Sequence, residues 1–278
     1  MALSVFKRMP GFHVLESLWR IDYKATAMEP VLTRSADEET KYKIDEIVGK
    51  KMEKTAPDMV PLVFGDKVIF TGNAVKGLFR HIISAQLTSA GHKICVQDVK
   101  ASREQLPQGR QRQCSPENPC FVCTWFGTAS RQGALHFSFL ESVRNVEDVV
   151  AKDPIPMIAI TDEFMGASIK RRAFAIIVPV KAGTEFTGWI KGVNLSDEII
   201  GAIKEVADMS ERGFIQFGGL KTRGYGSMRL NITSIEKYST RPFQLEKRYE
   251  GGELRTFLEN CQRAYRKLLE AGQKASQQ

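Results

Sequence analysis

The 278-residue sequence contains no apolar run as long as the roughly 18–20 residues that a membrane-spanning helix needs. Its first residues lack the apolar core of a signal peptide, so we expect a cytoplasmic protein. No linker rich in Pro or Ser and no internal repeat divides the chain, which favours one elaborated domain over residues 1–278. Cysteines are few, at five, and a cytoplasmic chain keeps them reduced, so a cysteine cluster would indicate a metal site or catalysis before a disulfide.

Acidic residues are fewer than basic ones, and this imbalance points to a class of partner. The chain has 32 Asp and Glu against 40 Lys and Arg, a formal net charge of +8 and a pI of about 9.2. Lysine and arginine release counterions when they contact phosphates, so the excess suits a polyanion such as a nucleic acid.

Hydrophobic periodicity predicts an α+β fold. Alternation over residues 15–32 predicts a first strand, and helical spacing after residue 71 predicts a helix capped by Thr71 or Asn73. Further strands are predicted at 60–70 (a pair), 133–143, 173–180, 184–192 and 227–236, and helices at 196–209, with Ser196 as cap, and about 252–272.

This order of elements matches a βαββαβ unit, the ferredoxin-like (RRM-like) arrangement. The core then comprises about residues 15–32, 60–90, 133–150 and 173–236. Long insertions separate these segments at about 33–59, 91–132 and 153–172.

A glycine-rich loop at residues 218–226 (Gly-Gly-Leu-Lys-Thr-Arg-Gly-Tyr-Gly) is the most informative motif. Glycines permit positive φ and close approach of the backbone to a ligand, and Lys221 and Arg223 stand among them. Exposed amides in such a loop can hold phosphate oxygens. On these grounds alone, the loop predicts either a phosphate-binding site or a hairpin turn with incidental charges.

Three motifs together resemble one family. The glycine-rich loop is similar to the C-terminal signature of the RAMP superfamily, the RNA-binding subunits of CRISPR systems. Residues 71–80 (Thr-Gly-Asn-Ala-Val-Lys-Gly-Leu-Phe-Arg) resemble a second signature, and residues 120–127 (Cys-Phe-Val-Cys-Thr-Trp-Phe-Gly) a third, found in type III backbone subunits. The matches occur in the family order from residue 18 to 235.

The resemblance implies a crRNA-binding backbone subunit of a type III effector complex, active in antiviral defense. Its partners would be crRNA, complementary target RNA and other effector subunits, including further RAMP subunits in a filament. Lys76 and Arg80, spaced i and i+4 near a helix N-terminus, would contact the guide together with the glycine loop. Residues 153–172 would form a thumb-like hairpin, with Phe164 or Met165 as the apolar wedge and a basic stretch at its side. The implied RNA-binding residues are Thr71, Asn73, Lys76, Arg80, Met165, Lys170, Arg171, Gly218, Gly219, Lys221, Arg223, Gly224 and Gly226.

The spacing of Cys114, Cys120 and Cys123 provides three soft ligands within ten residues, and Zn²⁺ prefers four N or S ligands. His81, His92 or Cys95 could supply the fourth. Because zinc-bearing members of the family use one histidine with three cysteines, the resemblance favours His81. The zinc would be structural.

The resemblance also implies catalysis by an aspartate in a loop between the first strand and the first helix. Asp58 occupies that position, and its carboxylate could hold Mg²⁺ or Mn²⁺ beside a scissile phosphate. The protein would then be a metal-dependent endoribonuclease acting on target RNA, although Asp37 and Asp45 lie in the same insertion and could replace Asp58. The alternatives are a non-catalytic structural filament subunit and a metal-independent crRNA-processing ribonuclease.

Overall fold

The computed structural model describes residues 14–35, 37–49, 57–95, 114, 118–128, 131–158 and 174–276. The fold of these residues is α+β, as predicted. The strands are β1 (Ser17–Ala27), β2 (Val63–Phe64), β3 (Lys67–Phe70), β4 (Leu135–Phe137), β5 (Leu140–Ser142), β6 (Ile155–Ile158), β7 (Phe174–Ile177), β8 (Glu185–Val193), β9 (Met228–Thr240) and β10 (Phe243–Tyr249). The helices are α1 (Glu38–Val48), α2 (Gly72–Ser89), α3 (Phe121–Phe126), α4 (Val146–Val149), α5 (Asp197–Glu211) and α6 (Gly251–Ser276).

The main sheet is antiparallel and has the order β10-β9-β1-β8-β5-β3-β2, with β4 also paired to β8. Alternate residues of the central strand β1, from Trp19 to Ala27, are buried. The Trp19 ring stacks on Phe257 of α6 at a centroid distance of 6.1 Å, so this side of the sheet packs on the helices. The hydrophobic core is therefore continuous between the sheet and the helices.

Helix α2 begins where the sequence predicted. The Thr71 hydroxyl accepts a hydrogen bond from the Ala74 amide at 3.2 Å and is the N-cap, whereas Asn73 lies inside the first turn. Val75, Phe79, Ile83 and Leu87 are buried on one face, which anchors this helix on the sheet.

None of the helices in the described part of the chain combines the length and apolarity needed to cross a membrane.

The strand predicted at residues 133–143 is split into β4 and β5. Ser138 separates them because its hydroxyl accepts the Trp189 amide hydrogen bond at 2.9 Å, which replaces a regular ladder contact with β8. A second departure concerns Ser196. It precedes α5 as expected, but its buried hydroxyl caps nothing in the described structure.

The apolar run at residues 173–180 does not join the main sheet, contrary to its predicted place in the core strands. Within it, β7 pairs with β6 in a separate two-stranded sheet, and its Ile177 also forms an isolated parallel bridge with Met59. Pro179 has no amide hydrogen and cannot extend the ladder. Val180 instead exchanges two backbone hydrogen bonds with Val31, at 3.0 and 2.8 Å, which fastens the run to the chain after β1.

The hairpin of β9 and β10 extends beyond the predicted elements. Strand β10 was not predicted because its side chains are exposed and alternate poorly, so no hydrophobic period marks it. The last helix, predicted at about 252–272, spans Gly251–Ser276 and packs against α5, where Gly201 lies close to the backbone of Cys261.

Candidate functional site

The glycine-rich loop has the left-handed backbone that its composition predicted. Gly218, Gly224 and Gly226 have φ values of +78°, +80° and +96°. Leu220, at +58°, enters the same region without being glycine. It immediately precedes a single 3-10 turn, Lys221–Arg223, at the exposed tip of the loop. The loop therefore presents its two basic side chains from a tightly bent backbone.

The ends of the loop are fastened to the segment that follows β1. The Gly219 amide donates to the Leu32 carbonyl at 2.9 Å, and the Gly226 amide donates to the Pro30 carbonyl at 3.0 Å. A Cβ on Gly218 would lie only 2.2 Å from the Leu32 oxygen. Gly218 is thus required by both conformation and space, whereas a Cβ on Gly224 would meet open space.

The loop lies directly beside the start of α2. The Phe217 ring, immediately before the loop, packs edge-on against Phe70 with centroids 6.0 Å apart, and a Cβ on Gly218 would lie 3.4 Å from the Phe70 ring. Phe70 is the last residue of β3, and the next residue, Thr71, caps α2. Phe70 was not singled out from the sequence, although its position next to the cap could have indicated it. The structure brings together two of the three motifs that the sequence analysis identified.

Cationic side chains occupy both parts of this surface. Lys221 and Arg223 are exposed, and Lys76 and Arg80 lie half-buried on α2. Burial, followed by the charge of Arg80, lowers the pKa of Lys76. Within the described residues, none of these four side chains forms an ion pair, so their charge is available to an anion.

The start of α2 also packs closely on the main sheet. A Cβ on Gly72 would lie 2.4 Å from the carbonyl oxygen of Phe137, at the end of β4. Asn73 is exposed in this first turn, and the half-buried Thr71 hydroxyl is engaged in capping. Thr71 therefore already has a structural role besides the predicted RNA contact.

The predicted thumb-like hairpin is described only at its base. Strands β6 and β7 pair antiparallel, and the residues between them lie outside the described residues. The predicted contacts Met165, Lys170 and Arg171, and the wedge candidate Phe164, fall in that stretch.

Four cysteines form a cluster with the geometry of a metal centre. The sulfur atoms of Cys95, Cys114, Cys120 and Cys123 all lie within 4.8 Å of one another. The Cys95 sulfur is 3.0 Å from that of Cys123 and 3.8 Å from that of Cys120. Tetrahedral Zn–S bonds of about 2.3 Å place sulfurs about 3.8 Å apart, so the set fits Zn²⁺. The hydrogen bond between Cys120 and Cys123 lowers the pKa of Cys120 to about 5 and raises the pKa of Cys123, so the cluster stabilises a thiolate at Cys120.

The structure places Cys95, and not the expected His81, with Cys114, Cys120 and Cys123. His81 is exposed on α2, eight residues before Ser89, which is about 12 Å along the helix axis. After α2, a left-handed turn at Gly91 redirects the chain and brings Cys95 to the other cysteines. His92 does not belong to the cluster either, and its Nε2 lies 2.9 Å from the Leu268 carbonyl oxygen of α6.

Asp58 has a structural partner. Its Oδ2 accepts a hydrogen bond from the Ile176 amide at 2.8 Å, and its own amide donates to the Ile176 carbonyl at 2.9 Å. The residue is exposed, and it lies at the base of the β6–β7 hairpin. The carboxylate therefore helps to hold β7 in place, while one oxygen remains without a protein donor in the described structure.

The two other candidate aspartates belong to α1. Asp37 is the N-cap of this helix, and its Oδ2 accepts hydrogen bonds from the Thr40 amide and hydroxyl, both at 2.9 Å. These bonds lower the pKa of Asp37. Asp45 lies in the last turns of the same helix. Asp37 is thus accounted for by capping, and neither residue shares the environment of Asp58.

Comparison with known proteins assigns a family but no individual relative. No curated protein matches the sequence. The model of the RAMP superfamily matches residues 24–229, which is most of the chain and includes the glycine loop, the start of α2 and the four cysteines. The chain therefore belongs to the RAMP superfamily, which indicates a CRISPR-associated role in RNA binding.

Proposed function

We propose that this protein is a crRNA-binding backbone subunit of a type III CRISPR effector complex. It would contact guide phosphates and 2′-hydroxyls, leave the reading of sequence to base pairing, and assemble with other effector subunits, including further RAMP subunits. The observation that carries the proposal is the contact between the glycine loop and the start of α2. Phe217 precedes the loop and Phe70 precedes α2, so their contact brings the two cationic elements close to each other, which supports a shared binding surface.

The topology supports the ferredoxin-like core that such a subunit would have. Strands β9, β1, β8 and β5 are neighbours in that order, with α2 and α5 in the long connections. This is the order of a βαββαβ unit in which β4 and β5 together take the place of the second strand. The base of the β6–β7 hairpin leaves this core where a thumb would.

The RNA-binding proposal is tested by removing the two loop cations. We expect Lys221→Ala with Arg223→Ala to weaken guide RNA binding by a similar factor for two unrelated spacers. Each lost phosphate contact on a single strand should reduce the slope of log K against log salt by about 0.7, so about 1.4 for both. Binding would be measured by fluorescence anisotropy with labelled guide between about 50 and 200 mM salt.

A matched control removes the same charge elsewhere. Arg255 and Lys267 are exposed on α6 and, within the described residues, form no ion pair. Arg255→Ala with Lys267→Ala should leave both affinity and slope near wild type. If both double variants lose the same affinity for guide RNA, net charge alone explains the weaker binding. A loss of affinity for only one of the two spacers would contradict recognition of the RNA backbone.

The four-cysteine cluster would hold a structural Zn²⁺. Cys95 follows α2, and Cys120 and Cys123 lie at α3, so the ion would fasten the intervening insertion to the end of α2. Zinc bound by four thiolates has no open coordination position, and it would stabilise the fold without taking part in a reaction.

Target RNA cleavage through Asp58 and a divalent metal is the finer part of the proposal. The free carboxylate oxygen is the atom that would bind Mg²⁺ or Mn²⁺ near a scissile phosphate. The hydrogen bond to Ile176 favours the second candidate function, a non-catalytic scaffold, because it explains Asp58 without chemistry.

An amide substitution separates these two functions. Asp58→Asn keeps an oxygen that can accept from Ile176 but removes the charge that a metal needs. The assembled complex would be given complementary RNA with Mg²⁺. Cleavage that is lost in Asp58→Asn while guide binding is retained supports catalysis, and unchanged cleavage assigns Asp58 to the scaffold. Cleavage that persists in EDTA would indicate a metal-independent ribonuclease instead.

A further inference from the structure

The face of the main sheet that carries Arg20, Trp189 and Lys191 holds a groove that the proposed guide surface does not use. Its volume of about 650 Å³ lies within the roughly 300–1,000 Å³ of ligand-binding clefts. Aromatic and basic side chains dominate its floor and walls. The groove, here called the open-face groove, has a lining that includes Trp19, Arg20, His136, Trp189, Lys191, Tyr238 and Phe243.

Trp189 of the groove lies within cation–π distance of two basic side chains. The Lys191 ammonium is 4.4 Å from the ring centroid, and the Arg20 guanidinium carbon is 5.9 Å away. Arg20 is bound to Asp22 at 2.9 Å, so its charge is balanced internally. Lys191 forms no ion pair within the described residues. The groove therefore offers an aromatic ring with one uncompensated positive charge beside it.

A second aromatic platform stands at the other end. Tyr238 and Phe243 stack with centroids 5.3 Å apart, and Phe243 is 68% exposed. The nearby carboxylate of Glu236 is already engaged, since it accepts the Tyr238 hydroxyl at 2.6 Å and pairs with Arg248 at 3.3 Å. The negative charge of Glu236 is thus balanced by its own neighbours, so it repels an anionic ligand less.

The groove lies next to the start of α2, because His136 lines it and the adjacent Phe137 of β4 packs on Gly72. His136 of β4 lies opposite Lys191 in the strand register, and Lys76 is near enough that its charge, after burial, lowers the pKa of His136. A strand of RNA that leaves the start of α2 would meet His136, then Lys191, and then Trp189. Aromatic rings interleaved with cations are the combination that binds single-stranded nucleic acid, because bases stack on the rings while phosphates meet the charges.

We propose that the open-face groove binds an unpaired segment of RNA, with a base on Trp189 or Phe243 and a phosphate at Lys191. The proposal rests on the proposed function in that it adds a second contact to the same RNA-binding subunit. A purely apolar protein surface would suit the rings but not the isolated Lys191. The charge and the position next to α2 favour RNA over a protein partner.

The test measures anisotropy of a fluorescein-labelled oligouridylate with the purified full chain, at low salt. We expect Trp189→Leu and Lys191→Ala each to weaken binding by roughly fivefold or more, and Trp189→Phe to retain most of it because a stacking ring remains. The matched control is Lys247→Ala. Lys247 lies 4.7 Å from the Tyr249 ring, but that ring stacks on Phe257 on the helix-covered side, so affinity should not change.

The outcomes separate this proposal from the guide-binding surface. Oligouridylate binding that depends on Trp189 and Lys191 but survives in the Lys221→Ala, Arg223→Ala variant supports the groove as its own contact, even if guide binding proves independent of the loop. Unchanged affinity in folded Lys191→Ala and Trp189→Leu overturns the proposal. It is also overturned if these variants bind RNA normally and lose association with a sister subunit. Thermal unfolding identifies a misfolded Trp189→Leu, and Lys191→Ala and Trp189→Phe then decide.

Discussion

Substituting Gly218 by alanine should distort the glycine-rich loop at the point where the backbone allows no side chain. Gly218 has φ of +78°, and its Cβ would lie 2.2 Å from the backbone oxygen of Leu32. The left-handed conformation costs a non-glycine residue about 1–2 kcal/mol. Relief of the clash requires the loop to move by nearly 1 Å, which should weaken the Gly219–Leu32 hydrogen bond, worth about 0.5–1.5 kcal/mol. The free energy of unfolding should therefore fall by about 2–3 kcal/mol.

Gly224 is the matched control for this substitution. Its φ of +80° is nearly identical, but a Cβ there meets nothing within 4 Å. Gly224→Ala should consequently cost only the conformational term, about 1–2 kcal/mol. The difference between the two variants isolates the contact with Leu32.

The two alanine variants would be compared by urea unfolding and by guide RNA binding. Gly218→Ala should lower both stability and affinity, since its displacement moves Lys221 and Arg223 relative to α2. Equal unfolding free energies for Gly218→Ala and Gly224→Ala would refute the assignment of a close contact with Leu32. Wild-type affinity in a demonstrably destabilised Gly218→Ala would refute the link between loop geometry and RNA binding.

Other predictions follow from the cysteine cluster and from Asp58. Native protein should contain about one equivalent of zinc, Cys95→Ser should contain less than about half of that, and His81→Ala should match wild type when metal is measured by mass spectrometry. A strong chelator should lower the melting temperature of wild type, and an unchanged melting temperature would contradict a structural ion. Asp58→Ala should lower the free energy of unfolding by about 1–2 kcal/mol, because it leaves the Ile176 amide without its acceptor. Asp58→Asn should lower it by less than half of that amount, since the amide oxygen can still accept. Equal losses for the two variants in thermal unfolding would contradict the hydrogen bond as the cause.

Much of the fold was predictable because local signals and tertiary packing agree. The alternation in β1 and the helical spacing after Thr71 match buried faces in the structure. The positive φ values in the glycine loop follow directly from its composition. Strand β10 was missed because its side chains are exposed and it is held by backbone pairing to β9, which leaves no hydrophobic period to detect.

The site was predictable where its residues are close in the chain and less so where they are not. Cys120 and Cys123 belong to a short motif, but the position of Cys95 depends on how the chain turns after α2, which spacing alone does not specify. The contact between Phe70 and Phe217 likewise joins residues far apart in the sequence. The hydrogen bond from Ile176 gave Asp58 a structural role that no sequence pattern indicates.

The central claim is that the glycine loop and the start of α2 form one binding surface for the guide backbone. The most direct measurement is a cryo-electron microscopy map of the chain on guide RNA in its complex. We expect consecutive guide phosphates within hydrogen-bonding distance of residues 218–226 and of the first turns of α2, near Lys76. A guide that runs instead along the exposed surface of α6, with this loop facing solvent, would contradict it.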